Sequence, residues 1–283
     1  MKILSDVIQH YDKSFVAVKF NYPLGYFDSI FSFSDFQDLM KKTRFVENDI
    51  WLYKNGNKVT ESDLLVPKGS HGNPFVNPKR FSSVKLNEFF TSDKIGIKIN
   101  AVYDFSEKIN NFRKELATIL GCEVSVNSYY SPSLSEKMLA AHRDSYNILI
   151  LQIQGQKKFF FGEMTDEKIQ ADKETVVLEA GQALYLPANL AHYAEPANGQ
   201  DSLHLTVGLH DLKFGEFVET FFRTNEKWKL LVSKKFPIAN GQAIAADLDY
   251  LVEELAICLK DQMKDQLFVT EFLKEKLKIV SDI

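Results

Sequence analysis

The sequence predicts a mainly β chain with helices: a barrel of the jelly-roll type, helices flanking it, and a helical C-terminal segment. Three observations predict this. Between residues 122 and 210 the chain breaks into short apolar or alternating runs, "EVSVNSYY", "YNILILQIQ", "KKFFFG", "TVVLE", "ALYLP" and "SLHLTVGLH", each bounded by Gly, Pro, Asn or Asp. One amphipathic segment at 104–120 stands before them, and from Leu212 onward the pattern is helical again.

The bulk composition fits one large or two ordinary globular domains: 283 residues, 45% hydrophobic and 25% charged. With 23 Phe and 11 Tyr the chain favours strands and a packed core over disorder. A net charge of -4, from 34 basic and 38 acidic residues without a basic cluster, argues against a nucleic-acid partner. The opening "MKILSDVIQHYDKS" is interrupted by Asp6, Gln9 and His10, so it reads as no targeting segment. No run approaches the ~18 apolar residues of a membrane span. Cys122 and Cys258 lie far apart without metal or redox spacing, which fits reduced core thiols. The expectation is a soluble, cytoplasmic protein.

Residues 1–94 read as a mixed α/β region packing on the barrel. Within it "FSDFQDLMKKTRF" has helical spacing with Asp35 at its start, and "DIWLYKNGNKVT" reads as two strands around an Asn-Gly turn. The segment "VPKGSHGNPFVNPKRF" is too rich in Pro, Gly and Asn for either element and reads as a loop, a flexible wall or lid. Residues 95–212 hold the barrel. Its helix at 104–120 places Phe105, Ile109, Phe112, Leu116 and Ile119 on one face, with Gly121 as the stop. Gln154-Gly155 reads as a tight turn, so "YNILILQIQ" and "KKFFFG" are expected to form a hairpin. Residues 213–283 read as helices, and the stripe Phe217, Phe221, Phe222 and Trp228 suits a helix core or a homodimer seam equally.

The chemistry centres on three residues. His142 and Asp144 are separated by one residue, which on extended backbone points both side chains to one face. His192 follows 50 positions later, after a strand that ends in Pro187. Two imidazoles and one carboxylate on one side of a metal leave positions open for cosubstrate and O2, the facial triad of non-haem Fe(II) oxygenases. A lone His-x-Asp is also a common cap or turn former, so the setting of His192 carries much of the weight. Lys157 adds a second signal. In the hairpin register it faces Gln152, which shares the parity of Asp144, and an inward lysine among apolar residues requires an anion. The other reading has Lys157 reaching the rim beside Lys158.

The run His142, Asp144, Gln152, Gly155 and Lys157, then "GQALYLPANLAH", then "SLHLTVGL", resembles the JmjC/cupin-type 2-oxoglutarate oxygenases, most closely the ribosomal-oxygenase branch. The resemblance implies a double-stranded β-helix barrel. It implies Fe(II) held by His142, Asp144 and His192, and 2-oxoglutarate as cosubstrate with its far carboxylate on Lys157. "VNSYYSPS" is similar to the family's Asn-x-Tyr strand, which places Asn127 and Tyr129 on the cosubstrate wall, although one residue appears inserted before His142. His204 is either a further cosubstrate-side group or a hydrogen-bonded core histidine; His10, His71 and His210 read as loop or surface residues. The activity implied is hydroxylation of a side chain in a protein or peptide. The alternatives are hydroxylation of a free amino acid or small metabolite, and a non-catalytic cupin that binds a ligand or partner. The tail fits the family's dimerisation helices, which allows a homodimer through them.

Overall fold

The computed structural model describes residues 1–42, 45–46, 48–54, 57–58, 65–66, 80–81, 95–133, 138–165, 168–169, 174–226, 229, 238–239, 242–243 and 245–277. The expected Asn55-Gly56 turn, most of the loop at 66–81 including His71, and Trp228 lie outside the described residues. In chain order the elements are α1 (Lys2–His10), β1 (Val18–Asn21), α2 (Phe33–Lys42), β2 (Ile50–Lys54), β3 (Asn57–Lys58), β4 (Leu65–Val66), β5 (Arg80–Phe81), β6 (Gly96–Ile99), α3 (Glu107–Leu120), β7 (Cys122–Ser131), β8 (Asn147–Gln154), β9 (Gln156–Gly162), β10 (Met164–Thr165), β11 (Lys168–Ile169), β12 (Thr175–Glu179), β13 (Gln182–Leu186), β14 (Ala191–Pro196), β15 (Ser202–Asp211), α4 (Phe214–Thr224), β16 (Ile238–Ala239), β17 (Gln242–Ala243), α5 (Ala245–Lys264) and α6 (Gln266–Leu277). They divide into two compact units, Met1–Leu120 with Val124–His210, and Gly121–Glu123 with Asp211–Ile283.

Local chemistry accounts for the helices. Ser32 and Asp35 cap α2 reciprocally: Asp35 N donates to Ser32 Oγ at 3.1 Å, and Ser32 N donates to Asp35 Oδ2 at 2.9 Å. α3 buries Ile109, Phe112, Leu116 and Ala117, and it ends at Gly121, whose φ of 65° is the left-handed conformation glycine adopts without penalty. Its apolar face differs from the expected one. Ile119 is exposed, while Arg113 is buried, donating to Val124 O and Asn110 Oδ1 with its guanidinium over the Tyr103 ring. An arginine stem can cover apolar surface when its head finds acceptors, so residue type alone mis-assigned the face. In the C-terminal unit, Phe217 of α4 meets Phe268 and Phe272 of α6 edge to face, and Arg223 pairs with Glu275 at 2.8 Å. Among the described residues no helix is long and apolar enough to cross a membrane.

The barrel consists of two antiparallel sheets. The larger runs β1-β13-β8-β15-β7-β6-β2-β3 and the smaller β12-β9-β14, the arrangement of a double-stranded β-helix with flanking helices. β8 lies between β13 and β15 and is buried on both faces, which is why its sequence is a continuous apolar run. Between the sheets Ile148, Ile150, Leu184 and Leu186 pack against Phe159, Phe161 and Leu178. Each such buried side chain contributes on the order of 1.5–3 kcal/mol.

The expected β8–β9 hairpin does not form. β8 pairs with β13 and β15, whereas β9 pairs with β12 and β14. Gly155 turns the chain from one sheet to the other instead of back on itself. Its φ is 65°, its carbonyl accepts from Ala180 N at 3.1 Å, and a Cβ there would stand 1.8 Å from Asp201 O. The corners after β8, β12 and β14 therefore meet at one end of the barrel. Gly155→Ala combines left-handed strain with a backbone clash, so the expected outcome is a loss of at least about 2 kcal/mol. Thermal unfolding followed by circular dichroism checks it, with a fall in Tm of several degrees.

Candidate active site

The opposite end of the barrel is held together by backbone. His142 and His192 exchange both main-chain hydrogen bonds, His142 N to His192 O at 3.1 Å and His192 N to His142 O at 2.9 Å, a one-pair antiparallel bridge on the edge of β14. The neighbouring loop is tied in as well. Asn189 N donates to Asp144 O at 2.7 Å, and Arg143 donates to Asn189 O at 2.8 Å. Asn147 accepts from Ala188 N and donates to Asp12 Oδ1, both at 3.0 Å. Short polar side chains at a strand start thus set the path of the residues that carry His142, Asp144 and His192.

The two rings are fixed in tautomer. His142 Nδ1 lies 2.9 Å from Ala140 O, and His192 Nδ1 lies 3.0 Å from Leu190 O. A carbonyl only accepts, so Nδ1 carries the proton in both and Nε2 offers its lone pair. The Nε2 atoms stand 3.5 Å (His142) and 3.6 Å (His192) from Asp144 Oδ2, and the three ligand atoms lie within 4.8 Å of one another. Donors about 2.1 Å from a shared ion stand roughly 3 Å apart, so the cluster has the dimensions of a metal site. Burial and the adjacent His142 hold His192 below the usual imidazole value, against Leu190 O and Asp144. Burial and the neighbouring Asp144 carboxylate push Tyr146 up to about 12.

These groups open into a cavity of about 290 Å³, and all seven residues singled out by the sequence line it: Asn127, Tyr129, His142, Asp144, Lys157, His192 and His204. Lys157 faces inward from β9 and is 2% exposed. Its Nζ donates to Ser131 Oγ, and the Ser131 hydroxyl lies 3.1 Å from Met138 Sδ. Burial pushes Lys157 down to about 7, with Glu195 acting in the opposite direction. Lys158, not Lys157, faces outward, with its ammonium over the Phe160 ring.

His204 stacks on Tyr129, ring centroids 5.1 Å apart and planes within 3°, and meets Phe159 edge-on. Its Nδ1 is buried without a hydrogen-bond partner among the described residues, so it lines the cavity instead of serving as a bonded core histidine. Burial and Lys157 hold it well below the usual imidazole range. Asn127 Oδ1 accepts from Ala101 N at 3.0 Å, where Ala101 has a φ of 46°. The amide oxygen is thus committed to the backbone, leaving the amide NH2 for the cavity.

Among the wall residues that sequence reasoning missed are Trp51, Lys98, Tyr146 and Thr206. Lys98, alternating with isoleucines in "GIKIN", carried the same signal as Lys157, an inward cation in a strand. His210 was also misread. It lies in β15, its Nε2 2.9 Å from Ser125 Oγ and its ring 3.9 Å from that of Tyr146. Period two placed it on the Thr206 face, next to the site.

A family model described as the JmjC domain matches residues 102–217. Among curated proteins the chain is 23% identical over 261 residues to "Ribosomal oxygenase 1" of Gallus gallus, covering 86% of this chain and 38% of that protein. It is 25% identical over 214 residues to the "Bifunctional lysine-specific demethylase and histidyl-hydroxylase NO66" of Drosophila melanogaster, covering 69% and 30%. The chain thus spans well under half the length of these relatives. Among solved structures, YcfD, a ribosomal oxygenase from Escherichia coli, aligns over 96% of this chain and 70% of its own, with a TM-score of 0.60 and 15% identity. The same protein in complex with cobalt and 2-oxoglutarate aligns with a TM-score of 0.58 and 17% identity. With the two-sheet barrel and the clustered His142, Asp144 and His192, these matches give residues 102–217 the likeness of a JmjC domain on a cupin-type barrel and make the chain similar to the ribosomal oxygenases.

Proposed function

We propose that this chain is an Fe(II)- and 2-oxoglutarate-dependent oxygenase that hydroxylates an amino-acid side chain of a protein or peptide. The observation that carries the reading is the presence, in one cavity, of a three-ligand cluster and a buried lysine without a carboxylate in hydrogen-bonding reach among the described residues. His142 and His192, each fixed by a carbonyl at Nδ1, would ligate through Nε2, and Asp144 would add the negative charge that imidazoles lack. Lys157 would take the far carboxylate of 2-oxoglutarate, with Asn127, Tyr129 and His204 forming the wall beside it. Bound iron, with 2-oxoglutarate and O2, supplies oxidative decarboxylation to succinate and CO2 coupled to hydroxylation of a substrate C–H bond.

The chain's own contribution is positioning and exclusion of water. Ile148, Ile150 and Phe159 line the cavity and keep it apolar around a reactive centre. Tyr146 lines the same cavity beside Asp144, whose charge it feels. The relatives named above support a protein substrate, since their names describe ribosomal, histidyl and lysine-directed activities. Two cysteines outside any disulfide, both buried, support a cytoplasmic setting, where thiols stay reduced.

Two experiments test the reading. Titration with Co(II), followed by visible absorption, is expected to show one site per chain. His142→Ala and Asp144→Ala should each lose more than the roughly 10–100-fold that removal of an outer-shell partner costs. Retention of wild-type affinity by both variants overturns the assignment.

The second experiment uses pH. Lys157 has its proton affinity lowered to about pH 7 in the empty cavity, and a bound carboxylate favours its protonated form. Below that pH the lysine is already charged and 2-oxoglutarate binds without proton uptake. Above it each binding event must take up a proton, so affinity should fall by about tenfold per pH unit at most. Isothermal titration calorimetry in buffers of different ionisation enthalpy checks both the fall and the uptake. Lys157→Met is expected to abolish both.

A further inference from the structure

The row of side chains that crosses the larger sheet at cavity level ends in a feature that the cosubstrate does not use. Trp51 pairs with Lys98 across β2 and β6, Lys98 pairs with Tyr129 across β6 and β7, and Tyr129 stacks on His204 of β15. Trp51 stands between two ammonium groups, with Lys98 Nζ and Lys58 Nζ each 4.4 Å from its ring centroid. Lys98 Nζ also lies 5.4 Å from the Tyr129 ring. Lys98 is half-buried and, among the described residues, contacts ring faces only, without a hydrogen bond or ion pair. The indole Nε1 of Trp51 is buried without a partner among the described residues. Among those residues one cation on this cavity wall, and one buried N–H donor of the ring beside it, are therefore unanswered.

Charge decides what answers them. Among the described residues the cavity lining holds two lysines, Lys98 and Lys157, against the single carboxylate Asp144, with the histidines neutral as ligands. The surplus is one positive charge. Filling the site with a divalent ion and a dianionic cosubstrate cancels within that pair and leaves the surplus unchanged. Lys157 meets the cosubstrate, so the excess stands at Lys98 on the opposite wall. Asp144, which draws on Lys98 in the empty site, gives its charge to the metal when one binds, and Lys58 adds a further positive field through the Trp51 ring. A basic substrate group would enter against this field.

We propose that Lys98 and Trp51 form the substrate-recognition wall and that the group they accept is a carboxylate, so the preferred substrate is acidic. This deepens the proposed oxygenase function and rests on it. A carboxylate can come from an Asp or Glu side chain in a peptide or from a free amino acid, and the two are separable by capping. The experiment loads the anaerobic protein with Co(II) and 2-oxoglutarate, whose own binding is recorded first. It then titrates N-acetyl, C-amide tripeptides Gly-X-Gly with X as Glu, Gln, Asp, Asn, His, Lys or Arg, and uncapped glutamate and glutamine, by calorimetry. The expected result is binding of the acids at least about tenfold tighter than their amides, as a charge-assisted hydrogen bond in a dry site provides. Basic members should bind more weakly than either. Preference among the capped peptides assigns the carboxylate to a side chain, and preference among the uncapped pair alone assigns it to a free amino acid.

Lys98→Met is expected to erase the acid-over-amide difference and Lys98→Arg to retain it, each variant being checked for an unchanged melting profile before titration. Equal binding of acids and amides, tighter binding of His, Lys or Arg, or an acid preference that survives in Lys98→Met overturns the proposal. If Co(II) or 2-oxoglutarate fails to bind in the first step, the oxygenase reading itself falls. If both bind and the acid preference is absent, only the assignment of Lys98 and Trp51 falls.

Discussion

The bridge between His142 and His192 is the constraint on which the site depends. Two residues fifty positions apart exchange both of their backbone hydrogen bonds, and each then commits its ring Nδ1 to a carbonyl two residues before it. Main chain and side chain are thus fixed by the same few atoms. Asp144 follows because its carbonyl is held by Asn189. The loop that carries these contacts is tied through Asn147 to the start of β8. A site built on such fixed backbone keeps its donor atoms close before any ligand arrives, the preorganisation that a metal centre or a catalytic centre requires.

The cost of the arrangement lies at the far end of the cavity. A lysine in the middle of the smaller sheet, flanked in its register by Leu178 and Pro196, loses its hydration and, among the described residues, keeps only a hydroxyl partner. An aliphatic residue would be better for stability at that position. That it is lysine, beside His204 with a buried and unanswered nitrogen, fits a wall shaped for an anionic guest more than for the resting protein. The aromatic and cationic row from Trp51 to His204 extends the same logic to the other wall.

Much of this was legible beforehand. Short apolar or alternating runs identified β7, β8, β9, β13 and β15, glycines marked the corners, and the spacing of His142, Asp144 and His192 named three residues that the fold then brought together. Lys157 was legible through its incongruity among apolar neighbours. What misled was connectivity: Gln154-Gly155 has the residues of a hairpin turn, and the same left-handed glycine serves a sheet-to-sheet corner. The apolar face of α3 was misjudged at Arg113 and Ile119 because residue type does not say which side chains find acceptors. Trp51 and Lys98 escaped notice because they lie well before the motif in the sequence.

Taken by itself, the sequence determined which segments become strands and helices, which residues supply imidazole, carboxylate and buried ammonium, and the family those residues resemble. These are local properties, set by side-chain alternation, by backbone freedom at glycine, and by the chemistry of each residue type. The tertiary structure alone decided which strands pair and that Gly155 separates two sheets. It also decided that Trp51 and Lys98 share a wall with His204. Pairing across β2, β6, β7, β15 and β8 joins segments separated by up to a hundred residues. Such contacts are chosen by the closure of the whole barrel, and no single stretch of the chain encodes them.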